Sequence, residues 1–158
     1  KKILFRVDAG GKIGLGHFYR SLNLAKTLNH RGHEIVFLHE PTEFWSQLYN
    51  FPFRRLELSD NLGEHNLGEI CKKETADVFY LDKITNISAD LIQDIKSICK
   101  VIFYQNLSES RYLADVFILP SIHQDKSFFD VLRNREPRFL GGEININGES
   151  NYSKEDKR

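Results

Sequence analysis

Along this chain, short apolar runs alternate with stretches whose apolar positions recur at helical spacing. The first run, Ile3 to Val7, predicts a strand, and Phe18, Leu22, Ala25 and Leu28, with Leu24 widening the stripe, predict a helix after it. Gly32 stands where a left-handed cap would end that helix, and Ile35-Val36-Phe37-Leu38 is a second buried-strand pattern closed by Pro41. The alternation continues less sharply with a helix from Glu43 to Tyr49, a strand near Arg55 to Leu58 and a helix within Leu67 to Lys73. Three further runs predict strands, Val78 to Leu81, Val101 to Tyr104 and Val116 to Leu119, with Leu91, Ile92, Ile95 and Ile98 marking a helix between the first two. Near-continuous apolar strands separated by amphipathic helices predict an α/β, Rossmann-like parallel sheet with helices on both faces. A last helical patch spans Phe128, Phe129, Val131 and Leu132, so that 1–144 reads as one domain and 145–158 as a polar tail or interdomain linker.

Composition narrows the function classes. The chain has 158 residues, of which 41% are hydrophobic, enough for one substantial core. Its 22 Lys and Arg balance its 22 Asp and Glu, so no net field holds nucleic acid or an anionic membrane, and neither is expected as a partner. Cys71 and Cys99 lack metal-ligand spacing and are expected to pack in the core of a cytoplasmic protein. No apolar run approaches the roughly 20 residues that cross a bilayer, and no membrane span is expected. Methionine is absent even at position 1, which suggests a trimmed or processed chain that something follows after Arg158.

Candidate chemistry lies in the turn after the first strand. In open parallel sheets ligands bind beyond the carboxyl ends of the strands, and this strand ends at Arg6-Val7-Asp8. The next segment, Ala9 to Gly16, carries Gly10, Gly11, Gly14 and Gly16 and runs into a helix start, where backbone N–H groups and the positive dipole end favour an anion. A tight turn without a ligand uses the same residues. The third glycine of the dinucleotide fingerprint is missing after Gly14-Leu15-Gly16, and Lys12 does not fit a triphosphate-binding loop, so no nicotinamide or ATP cofactor is expected. A helix start disfavours a cationic imidazole, which suits His17 to act as a general base, and Arg20 lies one turn on, on the same face, where it could pair with a phosphate or carboxylate. A surface histidine that caps the helix beside an exposed arginine fits the same spacing. His30, His33, His39, His65 and His123 share no metal-ligand pattern, and no metal is expected.

As an ordered set, Arg6-x-Asp8, Ile13-Gly14-Leu15-Gly16-His17, Arg20 and Leu24-Ala25 resemble the opening of the nucleotide-sugar hydrolases of pseudaminic acid biosynthesis and their spore-coat polysaccharide relatives. The resemblance covers the first quarter of the chain strongly. Beyond it, Asp77 to Asp82 resembles the family's strand ending in aspartate, and Arg138 to Gly142 resembles the segment before an interdomain crossing. The resemblance implies the N-terminal half of a glycosyltransferase-B architecture, with a second domain after Arg158 supplying most nucleotide contacts. It implies metal-independent hydrolysis of a UDP-linked 2,4-diacetamido-2,4,6-trideoxy sugar, with His17 activating water and with Arg6, Asp8, Gly14, Gly16, Arg20 and Asp82 on the substrate side. Ile84 stands where the family often has tyrosine, and Gln105-Asn106 where it has paired aspartates. Those departures leave open a change of sugar or a non-catalytic binding module, and the same architecture also serves glycosyltransferases.

Overall fold

A computed structural model of the chain describes residues 1–10, 14–58, 64–119 and 138–140. Within them, seven strands form one parallel sheet: β1 (Lys2–Val7), β2 (Glu34–His39), β3 (Arg54–Glu57), β4 (Val78–Asp82), β5 (Lys100–Tyr104), β6 (Val116–Ile118) and β7 (Arg138–Leu140). Their order is β3-β2-β1-β4-β5-β6-β7, which reverses direction between β1 and β4. The helices are α1 (Gly16–His30), α2 (Glu43–Gln47), α3 (Leu67–Lys73) and α4 (Ala89–Lys96). This is the expected α/β Rossmann-like arrangement.

Alternation along each strand divides the core. Phe5, Val7, Phe37 and Tyr80 pack with Phe18 and Ala25 of α1 and Trp45 of α2 on one face. Leu4, Leu38, Phe79, Leu81 and Phe103 pack with Leu67 and Ile70 of α3 and Ile92 and Ile95 of α4 on the other. Each fully buried Leu, Ile or Phe contributes about 1.5–3 kcal/mol, which is what fixes the register. In that register Ile3 lies opposite both Ile35 and Val78, so the ends of β1, β2 and β4 come level at one edge. Cys71 and Cys99 are buried free thiols in the α3–α4 core, as their spacing suggested.

Differences from the sequence expectations are small. The second helix stops at Gln47 rather than Tyr49. The third strand spans Arg54–Glu57, although the Leu58 N–H still donates to the His39 carbonyl at 2.8 Å. The strand expected from Val116 to Leu119 ends at Ile118. Arg138–Leu140, with only three residues and a charge at its start, carried no strand signal, yet it pairs with β6. The helical patch at Phe128 to Leu132 and the polar tail at 145–158 lie outside the described residues. No described helix is long and apolar enough to cross a membrane.

Candidate functional site

The β1–α1 turn is built on a glycine that the packing requires. Gly10 adopts φ +91°, and a Cβ there would fall 2.7 Å from the Phe44 Cβ at the start of α2. Thr42 ties the two segments together: its hydroxyl donates to the Ala9 carbonyl at 2.9 Å and accepts from the Trp45 N–H, capping α2. Gly14, at φ +75°, and Gly16 have open space where a Cβ would point, so both leave the backbone approachable from outside. Gly11, Lys12 and Ile13 lie outside the described residues.

Helix α1 begins without a side-chain cap, and its first polar side chains face β4. His17, Arg20 and Ser21 recur at the spacing that aligns them on one helical face, and all three reach the carboxylate of Asp82, fully buried at the end of β4. Arg20 grips it in a fork, donating through Nε to Oδ2 and through Nη2 to Oδ1, both at 2.6 Å. Ser21 Oγ donates to Oδ2 at 3.0 Å. His17 Nδ1 stands 2.5 Å from Oδ1, with Arg20 Nη2 2.6 Å away. Asp82 Oδ1 can accept from a protonated Nδ1, whereas Arg20 Nη2 can only donate to an unprotonated one, so the two contacts call for opposite tautomers, and it is the Asp82 contact that leaves the lone pair on Nε2. The hydrogen bonds that Arg20 donates to Asp82 raise the pKa of its guanidinium above the ordinary range, and the guanidinium carbon lies 4.6 Å from the centre of the Tyr104 ring. Burial in turn raises the half-buried Tyr104 phenol.

The expected site residues thus fall at one edge of the sheet, but on two faces of it. His17, Arg20 and Asp82 form the cluster on the α1 face. Arg6 and Asp8 point to the opposite face, where Arg6 donates to Asp8 through Nη1 and to Glu40 Oε1 through Nη2 at 3.0 Å, and Lys83 Nζ donates to that same Oε1 at 3.1 Å. Arg20, expected to meet a ligand, spends its fork on the chain's own carboxylate. Asp82, also expected on the substrate side, has both oxygens occupied by α1 and orients the residues around it.

Sequence reasoning missed Ser21, Tyr104 and Glu40. The first carried a signal, since it follows Arg20 on the face that His17 begins; Tyr104 and Glu40 were reachable only through strand order. At the positions that depart from the resembled family, Asn106 is fully buried and staples two loops. Its amide donates to the carbonyls of Lys83 at 2.5 Å and Thr85 at 3.0 Å, while its Oδ1 accepts from the backbone N–H and hydroxyl of Ser108. Gln105 beside it takes φ +55°, which places the turn. Among the described residues no group of three or more His, Cys, Asp or Glu side chains is arranged to hold a metal ion. No family model and no curated protein matches the chain.

Proposed function

We propose that the chain is the sugar-side domain of a hydrolase acting on a nucleotide-linked sugar, with His17 as the base that deprotonates the attacking water. One observation carries the reading: an imidazole at a helix start is held through Nδ1 by a buried carboxylate, itself clamped by Arg20 and Ser21, at the carboxyl edge of a parallel sheet. Asp82 fixes the ring and stabilises the imidazolium that forms when Nε2 takes a proton. The water oxygen bonds to the anomeric carbon, the bond from that carbon to the diphosphate oxygen breaks, and the nucleoside diphosphate leaves with the electron pair.

The substrate class comes from the resemblance of the first quarter of the chain: a UDP-linked 2,4-diacetamido-2,4,6-trideoxy sugar used in surface-polysaccharide or nonulosonic acid synthesis in the cytoplasm. In the same reading the chain is the N-terminal half of a glycosyltransferase-B architecture, and a second domain after Arg158 grips the nucleotide. Incubating the full-length protein with a panel of UDP-sugars and separating the products tests it. UDP and free sugar should appear together, and Asp82→Asn should slow their release by imposing the wrong His17 tautomer. Sugar transfer to an added acceptor without free sugar would make the enzyme a transferase, and tight binding without any UDP release would remove catalysis altogether.

A further inference from the structure

Away from the carboxyl edge, the chain's two cysteines meet where the strands begin. Cys71 lies in α3, which leads into β4, and Cys99 lies in the turn between α4 and β5. Gly68 lets these segments approach: a Cβ there would stand 3.6 Å from the Asp94 Cβ and 3.9 Å from the Ile98 Cδ1, so α3 runs close against the end of α4. Cys71 follows Gly68 by three residues on the same face of α3, and its thiol donates a hydrogen bond to the Cys99 sulfur. Both belong to one core cluster with Leu67, Ile70, Ile92 and Ile95, but Cys71 is fully buried whereas Cys99 is 8% exposed. Their shared hydrogen bond lowers the Cys99 thiol below its ordinary range, aided by the Phe79 backbone and opposed by burial and by the carboxylates of Asp115 and Asp77. The same bond, together with burial, raises Cys71. The pair is therefore unequal, with one sulfur reachable and more readily ionised and the other enclosed and held protonated against it.

We propose that Cys71 and Cys99 are a site of reversible oxidation, closed into a disulfide by hydrogen peroxide, with Cys99 as the attacking sulfur and Cys71 as the resolving one. Peroxide is small enough to reach a sulfur that is almost enclosed, whereas a bulky disulfide oxidant is not. The Cys99 thiol gives up its proton and its sulfur attacks the near oxygen of the peroxide; the S–O bond forms, the O–O bond breaks, and the departing hydroxide takes that proton and leaves as water. Cys99 is now a sulfenic acid. The Cys71 sulfur, already in contact, displaces the oxygen: the S–S bond forms, the S–O bond breaks, and the hydroxide leaves with the Cys71 proton as a second water. Two thiols are oxidised and one peroxide is reduced. The bond ties α3 to the start of β5 and encloses β4 and α4 in a covalent ring, which restricts the unfolded chain and stabilises the folded one. None of the residues around His17 takes part, so the proposal does not rest on the hydrolase reading.

Exposing the folded chain to hydrogen peroxide in slight excess, then unfolding it and alkylating with iodoacetamide, tests the site by intact-mass spectrometry. The oxidised monomer should weigh two hydrogens less and take up no label, and dithiothreitol should restore two labels. Peptide mapping should find Cys71 joined to Cys99, and the urea midpoint should rise on oxidation and return on reduction. In Cys71→Ala, oxidation should stop at a Cys99 sulfenic acid that dimedone traps; in Cys99→Ala, the enclosed Cys71 should remain a thiol. If either variant is unfolded by circular dichroism, the mapping of the unaltered chain decides alone. His17→Asn should be oxidised at the unaltered rate, which separates this result from the fate of the hydrolase reading. Retention of both thiols by the folded chain, disulfides formed only between chains, or separate oxidation of each sulfur to sulfinic acid without a cross-link would overturn the proposal.

Discussion

Asparagine at position 17 separates chemistry from architecture. The His17 side chain is only 13% exposed, but Asp82 keeps Arg20 and Ser21 as donors when the imidazole is gone. Stability should therefore fall by no more than about 1 kcal/mol, the net value of one hydrogen bond, as read from the urea midpoint. On the proposed hydrolase reading, turnover by the full-length protein should drop by roughly 10²–10⁴-fold, the usual contribution of a positioned base. Near-normal turnover with weakened substrate binding would make His17 a binding contact instead. His39 gives a different reading, since it is buried, stacked on Trp45 with ring centroids 4.1 Å apart, and its Nδ1 lies 2.9 Å from the Glu40 carbonyl. Burial depresses its basicity, so between that lowered value and the ordinary value of about 6.5 the unfolded chain binds more protons than the folded one. Its contribution to stability is present above the unfolded value and is lost as pH falls through the folded one. His39→Phe keeps the ring stack and removes the proton, so the loss of stability from pH 7 to pH 5, measured by denaturant titration, should shrink. An unchanged loss would assign the acid sensitivity to other groups.

Helices α1 and α3 end on the same backbone device with different residues. After α1, Gly32 at φ +82° lets its own N–H reach the Asn29 carbonyl and the His33 N–H reach that of Leu28. After α3, Thr75 at φ +52° occupies the equivalent place, with its N–H on Lys72 and that of Ala76 on Cys71. A β-branched residue is poorly suited to this conformation, so Thr75→Gly should stabilise the chain by about 0.5–1 kcal/mol, even after the greater freedom of glycine when unfolded is counted. A thermal melt showing no gain would mean that the Thr75 hydroxyl, which donates to the Glu74 carbonyl at 2.6 Å, offsets the strain. The contrast also explains what the sequence could reveal. Gly32 announces a helix end, while Thr75 does not; long apolar runs such as Ile35 to Leu38 declare buried strands, while Arg54–Glu57 and Arg138–Leu140 are too short and too charged to do so. At the site, the glycine-rich turn and the His17–Arg20 spacing were legible because both are local. The pairing of His17 with Asp82 was not, because it depends on β4 lying beside β1, a contact between segments far apart in sequence.

Across the molecule, the central strand β1 couples the two charged clusters to the sheet's long-range pairing. It joins β2 and then, across a long stretch of chain, β4, and both clusters form only once those pairings exist. The outer margin of the same sheet has another consequence. β3 is the end strand on its side, and Arg54, Arg55 and Glu57 on it are exposed. A strand on a margin offers unpaired N–H and C=O groups to any second chain, and ionic side chains make such an approach costly through desolvation and like-charge contact. These residues therefore guard against self-association. Converting Arg55 and Glu57 together to valine should turn the margin into a seed for intermolecular β-pairing, seen as rising light scattering and thioflavin fluorescence at concentrations where the unaltered chain stays clear.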